Sequence, residues 1–435
     1  MPERKQHILH YKPTIEAIIR WCEGFDKALV LCSNNEKSGQ KDPYGRFDVI
    51  AAVGSVLDFE NTDDTFEALL RFQRNSSDWI FGHLSYELKD PIHGLHTINP
   101  EGIGFKAVGF FVPRYILIIK DEEAVIHFKE GSEDQESLNK INEQLSHTRI
   151  PARSKANKKT TSTLTHRTSH ASYLDKAKSL LNHIQRGDIY EINFCVESFI
   201  ENCNIDPSDT FLRLQDVSPM PFSAFYRCDS RFLMCASPER YLAKRGDDLI
   251  SQPIKGTIRR GKNDTEDSFL KEKLRNDPKE QSENIMITDL VRNDLARVAA
   301  RNSVHVQELM GLKTFPRIHQ LISTVTARLG DGIPWTEAIR NTFPMGSMTG
   351  APKLRALQLI DEYEDSPRGL YSGCVGYVTP EEDFDFNVVI RSIQYNAASG
   401  YLSMMAGSAL TIGCDPEQEY HECLLKAETM VKALE

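Results

Sequence analysis

Residues 251–257 read Ser-Gln-Pro-Ile-Lys-Gly-Thr, which sets Lys255 between Pro253 and Gly256. Proline fixes one backbone angle and glycine frees another, so the backbone rather than a helix face can aim this side chain. An amine mounted in this way can attack an electrophile. It does so only where its surroundings favour the neutral form over an ammonium whose ordinary pKa is near ~10.4. The plainer reading is a surface-loop lysine, and the polar, turn-rich composition of residues 244–265 suits it. Carboxylates stand on both sides of Lys255 in the chain. Glu239, in Ser237-Pro238-Glu239-Arg240, follows a strand expected over 232–236 and could enter a cleft as a proton donor, or form an ordinary surface ion pair.

Glu283 precedes Ile287 by four and Leu290 by seven on a helix expected over 282–300 with Ser282 as its N-cap. That spacing puts it on the buried side, where a carboxylate needs a partner such as a cation; otherwise it serves the helix dipole. Near the C-terminus Glu419, Glu422 and Lys426 share one helix face beside the stripe Tyr420, Leu424, Ala427 and Val431. Two carboxylates so close repel unless something positive stands between them, and Mg2+ with a few carboxylates and waters is the ordinary solution. A surface Glu422–Lys426 pair is the alternative.

Three further places carry chemistry. His319, before an alternating strand, is a catalyst or a hydrogen-bonded core residue. Residues 344–353 form a Gly- and hydroxyl-rich turn entering a helix at Pro352, so Thr349 and free backbone N–H groups could bind an anionic or hydroxylated ligand. Tyr377 and Arg391, on strands expected over 376–378 and 388–392, offer a phenol and a guanidinium to a carboxylate, or are structural.

The elements that must hold these groups are mixed. Leu174, Ala177, Leu180, Leu181 and Ile184 recur at helical spacing, with Gly187 as a stop. Tyr190, Ile192, Phe194 and Val196 then alternate with Glu191, Asn193 and Cys195, so Glu191 faces away from the apolar side of a strand. The first third is mostly strand-like, with runs at 28–32 and 115–119. Residues 151–168, basic and Ser/Thr-rich, read as a linker between an N-terminal part (1–150) and a C-terminal part (169–435), or as a loop inside one domain.

With 435 residues and 40% hydrophobic composition the chain can bury one very large core or two ordinary ones. A net charge of -10 with interspersed signs argues against a nucleic-acid footprint and a basic membrane face. Nine cysteines without a Cys-x-x-Cys pair fit a reducing cytoplasm, and no apolar run approaches the length of a bilayer span.

Taken in order from Tyr173 onwards, Ser237–Arg240, Pro253–Thr257, Glu283–Leu290 and Pro344–Lys353 resemble the motifs of the chorismate-binding enzymes. Pro-Ile-Lys-Gly-Thr most resembles the aminodeoxychorismate synthase component I branch, since anthranilate synthase carries alanine for the lysine. The resemblance implies an α+β fold of two large antiparallel β-sheets packed as a sandwich with helices outside, to which residues 1–150 add strands. It implies chorismate and ammonia as substrates, Mg2+ on Glu283, Glu422 and Glu419, and attack by Lys255 at C2 with Glu239 as acid and His319 as a further catalytic residue. Gly256, Thr257, Thr349, Tyr377, Arg391, Gly407 and Lys426 become substrate-binding positions. A separate glutamine amidotransferase subunit would supply the ammonia, because no cysteine lies in a Gly-x-Cys-x-Gly turn. Anthranilate synthase component I and a non-catalytic regulatory subunit stay open. Glu191 departs from the family pattern, in which lysine marks the water-adding members and glutamine is usual in the ammonia users. Ser408 and Ala409 also depart, standing where glycines are usual.

Overall fold

The computed structural model describes residues 4–35, 42–59, 65–97, 102–129, 135–146 and 163–435. Every strand ladder among them is antiparallel. The hydrogen bonding is continuous but splits into two leaves at Val108–Lys120. The first half of this long strand pairs with Ile80–Leu84 and the second half with Glu123–Lys129, while Val49–Asp58 follows the other edge through a bulge.

From that junction the first leaf continues through Lys27–Cys32, Phe222–Cys228, Arg231–Ser237, Ser392–Asn396 and Tyr401–Thr411 to Glu191–Ile200. The second passes through Ile80–Leu84, Cys374–Val378, Phe384–Asn387, Arg240–Arg245 and Asp248–Gln252 to Ile318–Arg328. Ile254–Arg259 lies along one edge of that last strand and His305–Thr314 along the other.

Period-2 alternation gives each leaf an inner and an outer apolar face. Leu29, Ala52, Ala224 and Leu233 of the first leaf meet Phe81, Val375 and Tyr377 of the second in a shared interior. Helices cover the outer faces. Ile15–Cys22, Gln135–Ser146 and Pro207–Val217 pack on the first leaf, Thr65–Ser76 and Trp335–Thr342 on the second. His170–Gln185, Lys353–Tyr363 and Pro416–Leu434 enclose Ile192, Phe194 and Val196 of the outermost strand. The expected α+β sandwich is therefore present. No helix of the described residues is long and apolar enough to cross a membrane.

Local expectations differ in four places. Residues 244–265, read as turn-rich, hold the strands Asp248–Gln252 and Ile254–Arg259, because pairing to Ile318–Arg328 overrides their polar composition. The expected 282–300 helix is Pro278–Ala296, started by the Asp277 side chain with proline just inside. Ser282 instead donates to the carbonyl of Pro278 within the helix. Tyr190 is 64% exposed, just before the strand rather than on its apolar face. Residues 388–391 are not a strand: the chain there leaves Phe384–Asn387 in the second leaf for Ser392–Asn396 in the first. Of the expected linker, residues 151–162 lie outside the described residues, and Thr165–His166 pair with Ser198–Phe199.

Candidate active site

The site lies where the outermost strand of the first leaf faces the edge of the second. Opposite Ile318–Arg328, the register jumps between Ile254 and Thr257, so Lys255 and Gly256 form a bulge. Gly256 has φ +89°, a left-handed value that glycine adopts without strain. Asn284, fully buried, donates from Nδ2 to the carbonyls of Lys255 at 2.7 Å and Glu280 at 2.9 Å. It thus ties the bulge to the helix that carries Glu283. Asn284→Ala leaves the Lys255 carbonyl without that buried donor and is expected to cost about 1–3 kcal/mol, read as a lowered urea midpoint at unchanged slope.

Lys255 is buried and reaches across the gap between the leaves. Its Nζ donates to Glu191, and Glu283 Oε2 lies 3.7 Å away. Burial works against the ammonium, but Glu191, Glu283 and Glu239 outweigh it and hold Lys255 above its ordinary value. The isolated chain therefore stores this lysine charged, with a carboxylate in contact to take its proton. Glu191 itself is buried, facing away from Ile192 as the alternation requires.

Two chain crossings between the leaves run side by side and supply further groups. Glu239 sits between Arg231–Ser237 of the first leaf and Arg240–Arg245 of the second, and its backbone N–H donates to the Ser237 hydroxyl at 3.1 Å. Burial pushes its carboxyl up to about 7 against the opposing pull of Lys255. Arg391 sits at the other crossing, where its carbonyl accepts from Ala236 and the Glu239 carbonyl from Val388. Its φ of 51° is unusual for a bulky side chain, and burial alone lowers its guanidinium to about 10. A guanidinium so desolvated suits a carboxylate ligand.

Glu283 and Glu419, with side chains 9% and 4% exposed, come together below Lys255. Glu283 Oε1 and Glu419 Oε2 are buried with no hydrogen-bond partner, which suits them to hold a cation. Burial raises Glu283 and pushes neighbouring Glu280 up to about 7. Glu422 stands at the rim, 44% exposed and 2.7 Å from Lys426 Nζ, whose amine also donates to the Gly407 carbonyl at 2.8 Å. Burial opposes the Glu422 charge, yet Lys426, Lys279 and Lys255 lower its pKa on balance. Gly407 is closely packed: a Cβ there would lie 2.5 Å from Cys195 Sγ. Among the described residues no three acidic, histidine or cysteine side chains form a ready-made metal cluster, since lysines stand between the carboxylates.

Thr349 is fully buried, and its hydroxyl donates within its own turn to Gly346 at 3.2 Å. That turn is held against the Glu191 strand by Arg368, which donates to the Met348 carbonyl at 2.6 Å and the Asn193 carbonyl at 2.9 Å and pairs with Glu364. Lys353 closes the other end on Asp294 and on the carbonyls of Thr342 and Pro344.

Three expected residues lie elsewhere. His319 is buried between Thr314 at 3.0 Å and Asp267 at 2.9 Å, and burial lowers its pKa. It is the satisfied core histidine, not a neighbour of Lys255, because its strand partners are Ile258 and Thr314. Tyr377 points into the interior between the leaves, where strand alternation puts it beside Trp79 and Phe81, and it lines a cavity with Asp42, Arg240 and Asn387. Thr257 is exposed on the far side of the bulge, its hydroxyl accepting from Gln320 at 3.1 Å. Ser408 turns from Gly407 toward the helices, 3.1 Å from the Tyr173 hydroxyl.

Asn284, Lys279, Glu364 and Arg368 escaped the sequence reading. Asn284 follows Glu283 on the buried face and was findable by helical phase alone. The other three also form i,i+4 pairs, Lys279 with Glu283 and Glu364 with Arg368, but the contacts by which Lys279 and Arg368 reach other elements span 20 to 175 residues of chain and leave no local pattern.

The chain is 39% identical over 269 residues to "Aminodeoxychorismate synthase, chloroplastic" of Arabidopsis thaliana, covering 61% of this chain and 29% of that protein. It is 31% identical over 361 residues to "Aminodeoxychorismate synthase component 1" of Bacillus subtilis, covering 81% of this chain and 76% of the relative. The match thus spans only a fraction of the plant relative's length. Among solved structures, anthranilate synthase component I from Streptococcus pneumoniae superposes with a TM-score of 0.75 at 26% identity, over 90% of this chain and 93% of that one. Residues 12–432 match the chorismate binding enzyme family, and the chain belongs to it.

Proposed function

We propose that the chain aminates chorismate at C4, giving 4-amino-4-deoxychorismate for 4-aminobenzoate and folate synthesis, with ammonia delivered by a separate glutamine amidotransferase subunit. The observation that carries this reading is Lys255, a buried amine aimed by a bulge between a carboxylate partner, Glu191, and a proton-holding Glu239. Lys255 passes a proton to Glu191 and attacks C2. The ring double bonds shift, the C4–O bond breaks, and Glu239 gives its proton so that the hydroxyl departs as water. Ammonia then adds at C4, the C2–N bond breaks with its electrons returning to the lysine, and Glu239 recovers a proton from the new amine. Glu191 returns its proton to Lys255.

Arg391 is the available guanidinium for a substrate carboxylate. Glu283 and Glu419, with Glu422 at the rim, would hold Mg2+, which when bound neutralises a second carboxylate. Anthranilate synthesis is the competing reading, supported by the likeness to the Streptococcus pneumoniae enzyme. Lys255 stands against it. Purified chain supplied with chorismate, Mg2+ and ammonium decides between them: the 4-amino product is expected, anthranilate would support the alternative, and unchanged chorismate would point to a regulatory subunit.

A further inference from the structure

Lys279 occupies a position that the proposed reaction does not use. Its Nζ donates to Glu419 Oε1 at 2.8 Å and lies 3.8 Å from Glu283 Oε1, bridging the two buried carboxylates whose other contacts are incomplete. Burial opposes its charge, yet Glu419, Glu283 and Glu422 outweigh that and hold its pKa above the ordinary value. The lysine is nevertheless poorly anchored by its own helix. It lies in the first turn of Pro278–Ala296, where the positive end of the helix dipole disfavours a cation. Its i,i+4 pairing with Glu283 runs from base to acid, the weaker of the two orientations. Its side chain is 45% exposed, so water is open to it, whereas Glu283 and Glu419 have nowhere to go.

We propose that Lys279 is a resident counter-ion: in the isolated chain its ammonium stands between Glu283 and Glu419, and a divalent cation binds by displacing it into solvent. This rests on the assignment of those glutamates as the cation site. A single positive charge leaves Glu283 Oε1 and Glu419 Oε2 unbonded, while a divalent ion takes both and adds a charge. The lysine keeps the carboxylates from repelling one another until the metal arrives, and its removal costs the metal part of its affinity.

The test is metal binding by the full chain without chorismate, read as loss of the free Mn2+ electron paramagnetic resonance signal and, for Mg2+, by calorimetry. Lys279→Met is expected to bind either ion about tenfold more tightly than wild type, and Lys279→Arg no more tightly. Lys279→Met should also melt lower than wild type without metal and gain more on adding it, a shift that reports the stranded carboxylates whatever the activity. Glu283→Gln, which should weaken binding in either background, locates the ion. Equal or weaker binding by Lys279→Met, with wild-type binding still sensitive to Glu283→Gln, overturns the counter-ion while leaving the cation site intact. Binding indifferent to Glu283→Gln in both backgrounds overturns the cation site and the counter-ion with it.

Discussion

Lys255→Ala is expected to abolish formation of 4-amino-4-deoxychorismate, lowering its rate by roughly 10⁴-fold or more, the scale on which loss of an attacking group is felt. The variant keeps Glu239, Glu283, Glu419 and Arg391, so chorismate should still bind, and ammonia could reach C2 directly to give traces of the 2-amino isomer or anthranilate. Loss of the amine also strands Glu191, which is 4% exposed and would lose its cationic partner. A buried carboxylate left in that state costs about 3–5 kcal/mol. Adding Glu191→Gln should return part of that stability without restoring turnover, which separates the chemical role of Lys255 from its structural one. Lys255→Arg keeps the charge, but its guanidinium is a far poorer nucleophile, so the 4-amino product should stay absent. Product analysis by chromatography and mass spectrometry reads the outcome. A near wild-type rate in either single variant would remove Lys255 from the reaction.

Glu239→Gln should lower turnover by about 10²–10⁴-fold, the range associated with a lost general acid, with little change in chorismate binding. The pH profile gives the sharper sign. A carboxyl raised to about 7 by burial keeps its proton below that value, so activity needing the acid is present at lower pH and falls as pH rises through about 7. The residual activity of Glu239→Gln should lack that alkaline fall. If the variant retains both the rate and the fall, the proton comes from another group.

Much of this site was legible in the chain because its logic is local. Helical phase put Glu283 on a buried face, period-2 alternation turned Glu191 away from Ile192, and Pro253 and Gly256 bracket a lysine that the backbone does aim. The form of the aiming was not legible: the polar segment reads as a loop, and only pairing with Ile318–Arg328 makes it a bulged strand. Arg391 was foreseen on a continuous strand, whereas it sits at a crossing between leaves that depends on strands far apart in sequence. His319 and Tyr377 failed for the same reason. Residue type and alternation say that a ring is buried, but not which of two faces or which neighbour receives it. Asp267 and Trp79, which decide the matter, lie 52 and 298 residues away in the chain.

The most direct measurement is the mass of the protein itself after rapid quenching with chorismate and Mg2+ in the absence of ammonia. Attack at C2 with departure of the C4 hydroxyl predicts a fraction of chains heavier by chorismate less one water, with the addition mapping to the peptide that contains Lys255 and absent from Lys255→Arg. Ammonium should discharge the adduct as 4-amino-4-deoxychorismate appears. An unmodified chain at every quench time, in a preparation that makes the 4-amino product at full rate once ammonium is added, would contradict covalent attack by Lys255.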